Sequence, residues 1–313
     1  MGRAAAVRAW GWLLGAMLAA ACQAGLASPS RPGSSAYCDG GPPADAEQQH
    51  RALQLAALVK DELQRAGARV ALVARSGLDL DWLGHRYSHA GLGLQDSTLG
   101  PWAVRQLYYA CDERRPRLFD QGLAAFLSGV DDPARGFLSV VMLGDDAARA
   151  LEPVLRDDRR ASAVLGGAYS ANAHAFGAAY QNCNQWVAEV LALGWGGLPE
   201  EGPTPSLRGQ AQRWLRERGY VPASVELGTG PLMWLSRGWP YLHADDHPEE
   251  DLQQGRYRVS LPASLEAFVR RHDPGARRLE ICHQAGQVVL RRGWEPLGAD
   301  CVPGAEDTVR TLE

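Results

Sequence analysis

The sequence lacks the short motifs that mark several common enzyme classes. It contains no Gly-x-Ser-x-Gly elbow, no His-Glu-x-x-His helix, no Walker phosphate loop and no Cys-x-x-Cys pair. Gly91-Leu-Gly93 begins a Gly-x-Gly-x-x-Gly pattern, but Asp96 occupies its last position. Each motif places side chains or backbone N–H groups for one kind of chemistry. Their absence counts against serine hydrolases, zincins, nucleotide hydrolases, thioredoxin-like proteins and dinucleotide-binding enzymes.

Long basic and long apolar segments are also missing. The 313-residue chain has a formal net charge of -4 and a pI near 6.1, without a run of Lys or Arg. Nucleic-acid binding needs a basic patch, so we expect no nucleic-acid partner. After the first residues, no apolar segment approaches the length of a membrane-spanning helix. We expect no transmembrane span in the mature chain, and the sequence does not indicate an oligomeric state.

The first 27 residues have the pattern of a signal peptide. Arg3 and Arg8 precede an apolar stretch from Trp10 to Ala21, and Gly25-Leu-Ala27 provides small residues for cleavage. We therefore expect a periplasmic or secreted protein. Cys22 follows Leu-Ala-Ala-Ala, so a lipid anchor there is the less favoured alternative. We predict an exposed leader at 28–45, a core domain at 46–200 and a smaller β-rich extension at 201–313.

Cysteine usage points to one free thiol. If Cys22 leaves with the signal peptide, five cysteines remain, and five cannot pair completely in an oxidising compartment. We expect Cys183 to be free, with a Cys282–Cys301 bridge and a Cys38–Cys111 bridge. Four cysteines allow three pairings, so the pairing itself stays open.

The cysteine that we expect to be free begins a predicted helix. Asn182 is a good N-cap, apolar residues recur at helical spacing from Trp186 to Leu193, and Gly194 is a suitable end. A thiol in the first turn lies near unpaired backbone N–H groups and the positive end of the helix dipole, which favour thiolate. The alternative is that Cys183 is only a small buried side chain.

A histidine lies on a predicted strand upstream of that helix. Tyr87 to Leu94 and Trp102 to Ala110 form a strand, turn, strand sequence. Side chains alternate along a strand, so antiparallel pairing should bring Gln106 or Tyr108 beside His89. A helix near 51–66, buried strands at 69–74 and 136–143, a helix at 145–155 and later strands near 257–261, 279–282 and 287–290 complete an α+β prediction.

These residue types suit acyl transfer. A cysteine nucleophile needs a base, a group that orients the base, and N–H donors for the oxyanion. Cys183 is the candidate nucleophile, His89 the base and Gln106 the group that orients the base. The amide of Cys183 supplies one N–H donor. A glutamine orients an imidazole through its carbonyl but adds no negative charge, so it stabilises imidazolium less than an aspartate does.

Two motifs resemble a known superfamily. Ser88-His-Ala-Gly-Leu92, followed by Asn182-Cys-Asn-Gln-Trp-Val187, resembles the circularly permuted branch of the NlpC-type papain-like superfamily. That branch includes cell-wall peptidases, amidases and lecithin:retinol acyltransferase-like enzymes. The resemblance implies an antiparallel sheet packed on a cysteine-bearing helix, with Cys183 as nucleophile and His89 as base. Many members carry His or Glu in the third position, so Gln106 departs from the pattern and Tyr108 is its alternative.

A second resemblance covers most of the chain. The segments from Gln106 to Glu113 and from Phe119 to Gly122 resemble an uncharacterised bacterial family, the domain of unknown function 2145. That likeness implies no activity. The superfamily resemblance makes a cell-wall peptide the default substrate, with another acyl-bearing substrate as the next choice.

One further cluster concerns metals. Leu242-His-Ala-Asp-Asp-His247 brings together side chains that bind zinc or calcium in other proteins, but it lacks a fixed structural-site spacing. We interpret it as a solvated acidic loop and expect no metal and no cofactor. The sequence thus favours an exported papain-like cysteine hydrolase acting through an acyl-enzyme on Cys183. The alternative is a non-catalytic envelope binding protein that retains the papain-like shell.

Overall fold

The fold combines one large antiparallel sheet with helices on both of its faces. The computed structural model describes residues 45–128, 135–198, 206–227 and 241–312. This arrangement confirms the α+β class. The predicted signal peptide, residues 28–44 of the predicted leader, Cys22 and Cys38 lie outside the described residues.

The elements follow one another from residue 46 to residue 311. The helices are α1 (Ala46–Arg65), α2 (Leu123–Leu127), α3 (Asp145–Arg156), α4 (Asp158–Ser162), α5 (Cys183–Gly196), α6 (Leu207–Glu217), α7 (Glu249–Gln253) and α8 (Pro262–His272). The strands are β1 (Val70–Arg75), β2 (His89–Leu94), β3 (Ala103–Ala110), β4 (Arg115–Gln121), β5 (Arg135–Met142), β6 (Ala223–Glu226), β7 (Arg256–Val259), β8 (Arg277–Gln284), β9 (Gln287–Arg292) and β10 (Thr308–Thr311).

Eight strands form the main sheet in the order β10-β9-β8-β5-β1-β2-β3-β4, and every neighbouring pair is antiparallel. In the centre, β1 pairs with β2 so that Arg75 lies opposite His89. β8 pairs along the whole of β5. The sheet therefore continues across the boundary that the sequence suggests near residue 200, and strands from the C-terminal region complete it. β6 and β7 form a separate two-stranded sheet.

Two apolar clusters cover the two faces of the main sheet. Alternation along β2 sends Ala90, Leu92 and Leu94 into the cluster that contains α3 and α5. Residues of α1 and α2 pack with the opposite side chains of β1 and β3 in the other cluster. Since β1, β2 and β5 are buried on both faces, they read as nearly continuous apolar runs rather than as alternating patterns.

The cysteine helix ends later than its sequence suggests. Asn182 caps it as predicted, accepting from the Gln185 N–H at 2.7 Å. The left-handed residue that ends it is Gly197, at φ 56°, instead of Gly194. A Cβ added at Gly194 would lie 2.8 to 3.1 Å from atoms of Ala150 and Leu151. Gly194 is thus a site of close helix packing.

The sequence prediction lacks several elements, of which β4 and α8 are two. β4 lies in a charged stretch for which we predict no strand, and it pairs with β3 at the edge of the sheet. Charged side chains such as Arg115 and Arg117 are typical of edge strands, where they hide the strand signal. Helix α8 follows Leu261 with Pro262 at its start, a favourable first position for proline.

The cysteines are arranged largely as expected. Cys282 and Cys301 form a disulfide, and Cys183 is the free cysteine among the described residues. Cys111 is disulfide-bonded, and its predicted partner Cys38 lies outside the described residues. Within the part of the chain that the structure describes, no helix has the length and apolar character of a membrane span.

A buried ion pair ties the cysteine helix to α6. Glu189 is fully buried and accepts from Arg208 at 3.0 Å, from Gln181 at 2.5 Å and from Gln212 at 2.8 Å. Burial raises the pKa of Glu189, while Arg208 and the two amides oppose that rise. The charges of Glu189 and Arg208 therefore stabilise each other inside an apolar environment.

Removing one member of this pair should be costly. We expect Glu189→Ala to lower the free energy of unfolding by about 3 to 5 kcal/mol, because it leaves the Arg208 charge buried without its partner. Urea unfolding measures this loss. The matched control is Glu113→Ala, which removes an exposed carboxylate bound by Arg115 and Arg117 and should cost less than about 1 kcal/mol. Equal losses in the two variants would contradict the assignment.

Candidate functional site

Cys183 is the first residue of α5 and lies against the start of β2. Its side chain is only 7% exposed and belongs to the apolar cluster that includes Ala90. The backbone N–H groups of Ala90, Cys183 and Asn184 hydrogen-bond toward the sulfur. Asn184 also donates from its side chain to the Ser88 carbonyl at 3.1 Å, which holds the helix start against the strand.

His89 is held by the glutamine that the strand pairing predicts. The His89 Nε2 lies 2.8 Å from the Gln106 Oε1. The Gln106 amide nitrogen donates to the Gln121 Oε1 at 2.6 Å, so its carbonyl side faces the histidine. A carbonyl only accepts, which places the proton on Nε2. The lone pair of the neutral ring is then on Nδ1, the nitrogen needed for a general base.

Two further side chains fix the histidine. The Tyr108 ring stacks on the His89 ring with 4.6 Å between centroids and 6° between planes. Arg75 donates to the Tyr108 hydroxyl at 3.1 Å and lies 5.4 Å from the centre of the Phe126 ring. Both residues predicted as neighbours of His89 therefore contact it, Gln106 through a hydrogen bond and Tyr108 through stacking. Arg75 is not among the predicted site residues, because it follows the predicted strand at 69–74 and belongs to no motif.

Cys183 packs against the start of β2, the strand that His89 begins. Regular pairing between β2 and β3 covers Leu92 to Leu94 but not the first residues of β2. Cys183 reaches the Ala90 N–H from the α5 side, while the His89 ring lies 5.9 Å from Phe126, a residue of the opposite apolar cluster. The sulfur thus lies among residues of the cluster that contains α5, whereas the imidazole contacts Phe126 of the opposite cluster.

Burial keeps both groups neutral. It raises the pKa of Cys183 to about 11, although three backbone N–H groups and Arg75 favour the thiolate. It lowers the pKa of His89 to about 3, with the Arg75 charge acting in the same direction and the Gln106 hydrogen bond against it. The expected preference for thiolate is therefore wrong for this buried state, because loss of hydration outweighs the helix start.

Tyr169 is a neighbour of the cysteine that sequence reasoning missed. It lies in the loop before α5, where it forms a backbone bridge with Gln181. Burial, followed by the charges of Cys183 and Tyr108, raises the pKa of Tyr169 well above its usual range. Its ring also contacts Tyr109, with 5.5 Å between centroids. Nothing in the sequence of this small-residue loop indicates that the Tyr169 side chain lies near the cysteine.

The predicted acidic loop is packed against the loop that precedes the cysteine helix. We call residues 241–247 the clasp and residues 169–180 the cysteine loop. The contacts between them are His243 stacked on Tyr180, Asp245 bonded to the Tyr180 hydroxyl, Asp246 bonded to the His174 N–H, and the His247 ring bonded to the Asn172 carbonyl. Asp246 and His247 have buried side chains, so the interpretation of this segment as solvated is wrong.

Metal binding has no geometric support in this cluster. His174 and His247 lie 5.4 Å apart between ring centroids, and burial lowers the pKa of each. Among residues 45–128, 135–198, 206–227 and 241–312, no group of three or more His, Cys, Asp or Glu side chains is arranged to hold a metal ion. The clasp therefore acts as a packing element that covers the cysteine loop.

A family model described as "Uncharacterized protein conserved in bacteria (DUF2145)" matches residues 62–269. The chain belongs to this family. The matched range of DUF2145 includes His89, Gln106, Cys183 and the clasp. Neither the search of curated proteins nor the search of solved structures finds a match to the chain.

The buried histidine should make this DUF2145 protein sensitive to acid. An unfolded histidine binds a proton below about pH 6.5, whereas folded His89 does so only near pH 3. Between these values the unfolded state binds more protons, so stability falls as the pH falls, by up to roughly 1.4 kcal/mol per pH unit.

We expect His89→Gln to lose less stability than the parent chain between pH 6.5 and about pH 5. Urea unfolding across this range measures the difference. His272→Gln is the control, because His272 is exposed and bonds only to the Arg218 carbonyl. Identical slopes for parent and His89→Gln would show that His89 is not buried in its neutral form.

Proposed function

We propose that this protein is an exported papain-like cysteine hydrolase that cleaves an amide or ester through an acyl-enzyme on Cys183. The observation that supports this most directly is the orientation of His89. The Gln106 carbonyl, whose amide is fixed by Gln121, accepts a hydrogen bond from the His89 Nε2–H and leaves Nδ1 without a proton. His89 directly precedes Ala90, whose N–H hydrogen-bonds to the Cys183 sulfur. A papain-like mechanism requires this tautomer.

The neutral pair defines how the reaction would start. Since Cys183 is a thiol and His89 a neutral imidazole, the sulfur attacks the substrate carbonyl as its proton passes to the His89 Nδ1. The carbonyl oxygen becomes an oxyanion next to backbone N–H groups at the start of α5. Collapse breaks the bond to the leaving amine or alcohol, which takes the proton from His89. Water then attacks the thioester and releases the acid.

The surroundings of the sulfur bear on substrate choice. Tyr108, Tyr109, Tyr169 and Tyr241 lie together near the start of β2, with Tyr109 and Tyr241 4.9 Å apart between ring centroids. Aromatic rings with polar tips suit peptides and other amphipathic chains better than simple ions. We take a cell-wall peptide as the first substrate class to test and another acyl-bearing molecule as the second.

A non-catalytic envelope binding protein is the second candidate. It is favoured by the burial of the sulfur and by the pKa of Cys183, raised to about 11. A thiol with that pKa is a poor nucleophile at neutral pH unless substrate or an opening motion changes its surroundings. The two candidates differ in whether Cys183 is chemically required.

Turnover of muropeptides and p-nitrophenyl esters by the purified mature chain separates the candidates. We expect Cys183→Ser to abolish hydrolysis and His89→Ala to lower kcat by about 100-fold or more, the usual contribution of a general base. Gln106→Ala should lower kcat less, because the base remains but loses its orientation. Mass spectrometry of the parent chain should find a thioester on Cys183.

Controls distinguish chemistry from stability. His272→Ala removes an exposed histidine and should leave kcat unchanged. Each variant is compared at a temperature where its circular dichroism matches that of the parent. If muropeptide binding persists in Cys183→Ser and the parent chain shows no turnover with any substrate, the binding protein is correct and the hydrolase is not.

A further inference from the structure

A groove lies at the end of the sheet remote from Cys183. It has a volume of about 490 Å³ and is formed where α1 and β5 end, β8 begins and β9 ends. β1 connects the two places, since Ala71 pairs with Met142 at the groove and Arg75 pairs with His89 at the candidate site. Four residue steps along a strand correspond to roughly 13 Å. The groove is therefore separate from the proposed catalytic residues.

Positive charge dominates this groove. The charged residues that line it are Glu62, Arg65, Arg277, Arg278 and Arg292. Arg65 and Arg292 both bind the nearly buried Glu62, at 2.5 and 2.6 Å. One carboxylate thus serves two guanidinium groups, and one positive charge of this trio is not compensated.

Arg277 adds a second uncompensated charge. Its guanidinium donates to the Ala66 carbonyl at 2.6 Å and has no ion pair within the part of the chain that the structure describes. Arg278 differs, because it is buried and paired with Glu266 and Glu280. The exposed arginines of the groove are therefore Arg65, Arg277 and Arg292, with a combined excess of two positive charges.

An aromatic wall completes the groove. Trp294 is partly buried, and the Arg270 guanidinium lies 5.1 Å from the centre of its ring. A volume of about 490 Å³ falls in the range of small-molecule sites. The groove therefore offers guanidinium forks beside an aromatic surface, in a space too small for a folded partner.

We propose that this groove binds the phosphate monoester group of a small molecule, with Arg277, Arg292 and Arg65 contacting the phosphate oxygens and Trp294 contacting the rest of the ligand. Planar guanidinium groups match phosphate oxygens in paired hydrogen bonds. The excess of two positive charges matches the dianionic form of a monoester and exceeds what a single carboxylate needs. This site does not depend on the proposed hydrolase activity.

Calorimetric titration of the purified mature chain tests the site, with inorganic phosphate and glucose 6-phosphate as probes. We expect saturable binding that weakens as salt rises, and a change in tryptophan fluorescence that Trp294→Phe removes. Arg277→Gln should lower the affinity about tenfold or more, since a hydrogen bond to a charged group is lost. Arg292→Gln should lower it as well.

The matched control is Arg159→Gln, which removes an exposed arginine on α4. It should change the affinity by less than about twofold. Absence of saturable binding, an equal loss in the control, or binding of malonate as tight as that of phosphate would overturn the proposal. Cosedimentation with phosphatidate vesicles, without binding of glucose 6-phosphate, would assign the same phosphate chemistry to a lipid headgroup. Either source requires the Arg277 effect.

Discussion

Desolvation at the start of β2 is the physical constraint on which the candidate site depends. Cys183 and His89 are both almost entirely buried, and burial moves the pKa of the thiol up and that of the imidazole down. Each shift disfavours the charged form of its group, so Cys183 exists as a thiol and His89 as a neutral imidazole. A thiolate–imidazolium pair would require water or a charged substrate group to reach the same place.

The charge of Arg75 favours the charged form of Cys183 but not that of His89. This positive charge lowers the pKa of Cys183 and also lowers the pKa of His89, so it favours thiolate but opposes imidazolium. The glutamine at the third position has the same consequence, because Gln106 orients the ring without supplying negative charge. In the proposed hydrolysis, His89 is therefore better suited to accept a proton transiently during attack than to hold it beforehand.

The local features of this site can be predicted from the sequence. The cap at Asn182 follows from residue type, and the contact between His89 and Gln106 follows from alternation along two neighbouring strands. Burial of the cysteine does not follow, since it depends on α5 being enclosed by the sheet and by other helices. The helix start is a local property, but the hydration of the thiol is a property of the whole fold.

Segments that are distant in sequence explain the remaining differences. The clasp lies about seventy residues after the cysteine loop, and neither segment alone shows that Asp246 would receive the His174 N–H. The end of α5 presents the same problem: Gly194 reads as a helix end in the sequence, whereas in the fold it is the place where Leu151 of α3 packs closely against α5. The sequence pattern predicts most of the central strands and helices but not the surfaces on which they pack.

The C-terminal region also positions the histidine strand. Glu280 on β8 accepts hydrogen bonds from Tyr87 and from Arg86, the latter at 3.0 Å, and these residues lie two and three positions before His89 at the start of β2. Glu280 is itself buried beside Arg278, so this contact is rigid rather than a surface ion pair. His89 is thus fixed on its ring side by Gln106 and Tyr108 and on its backbone side by β8. A hydrolase needs His89 as a fixed base, whereas a binding protein needs it only as a packing contact. The position of His89 is therefore compatible with both functions, and the chemistry of Cys183 decides between them.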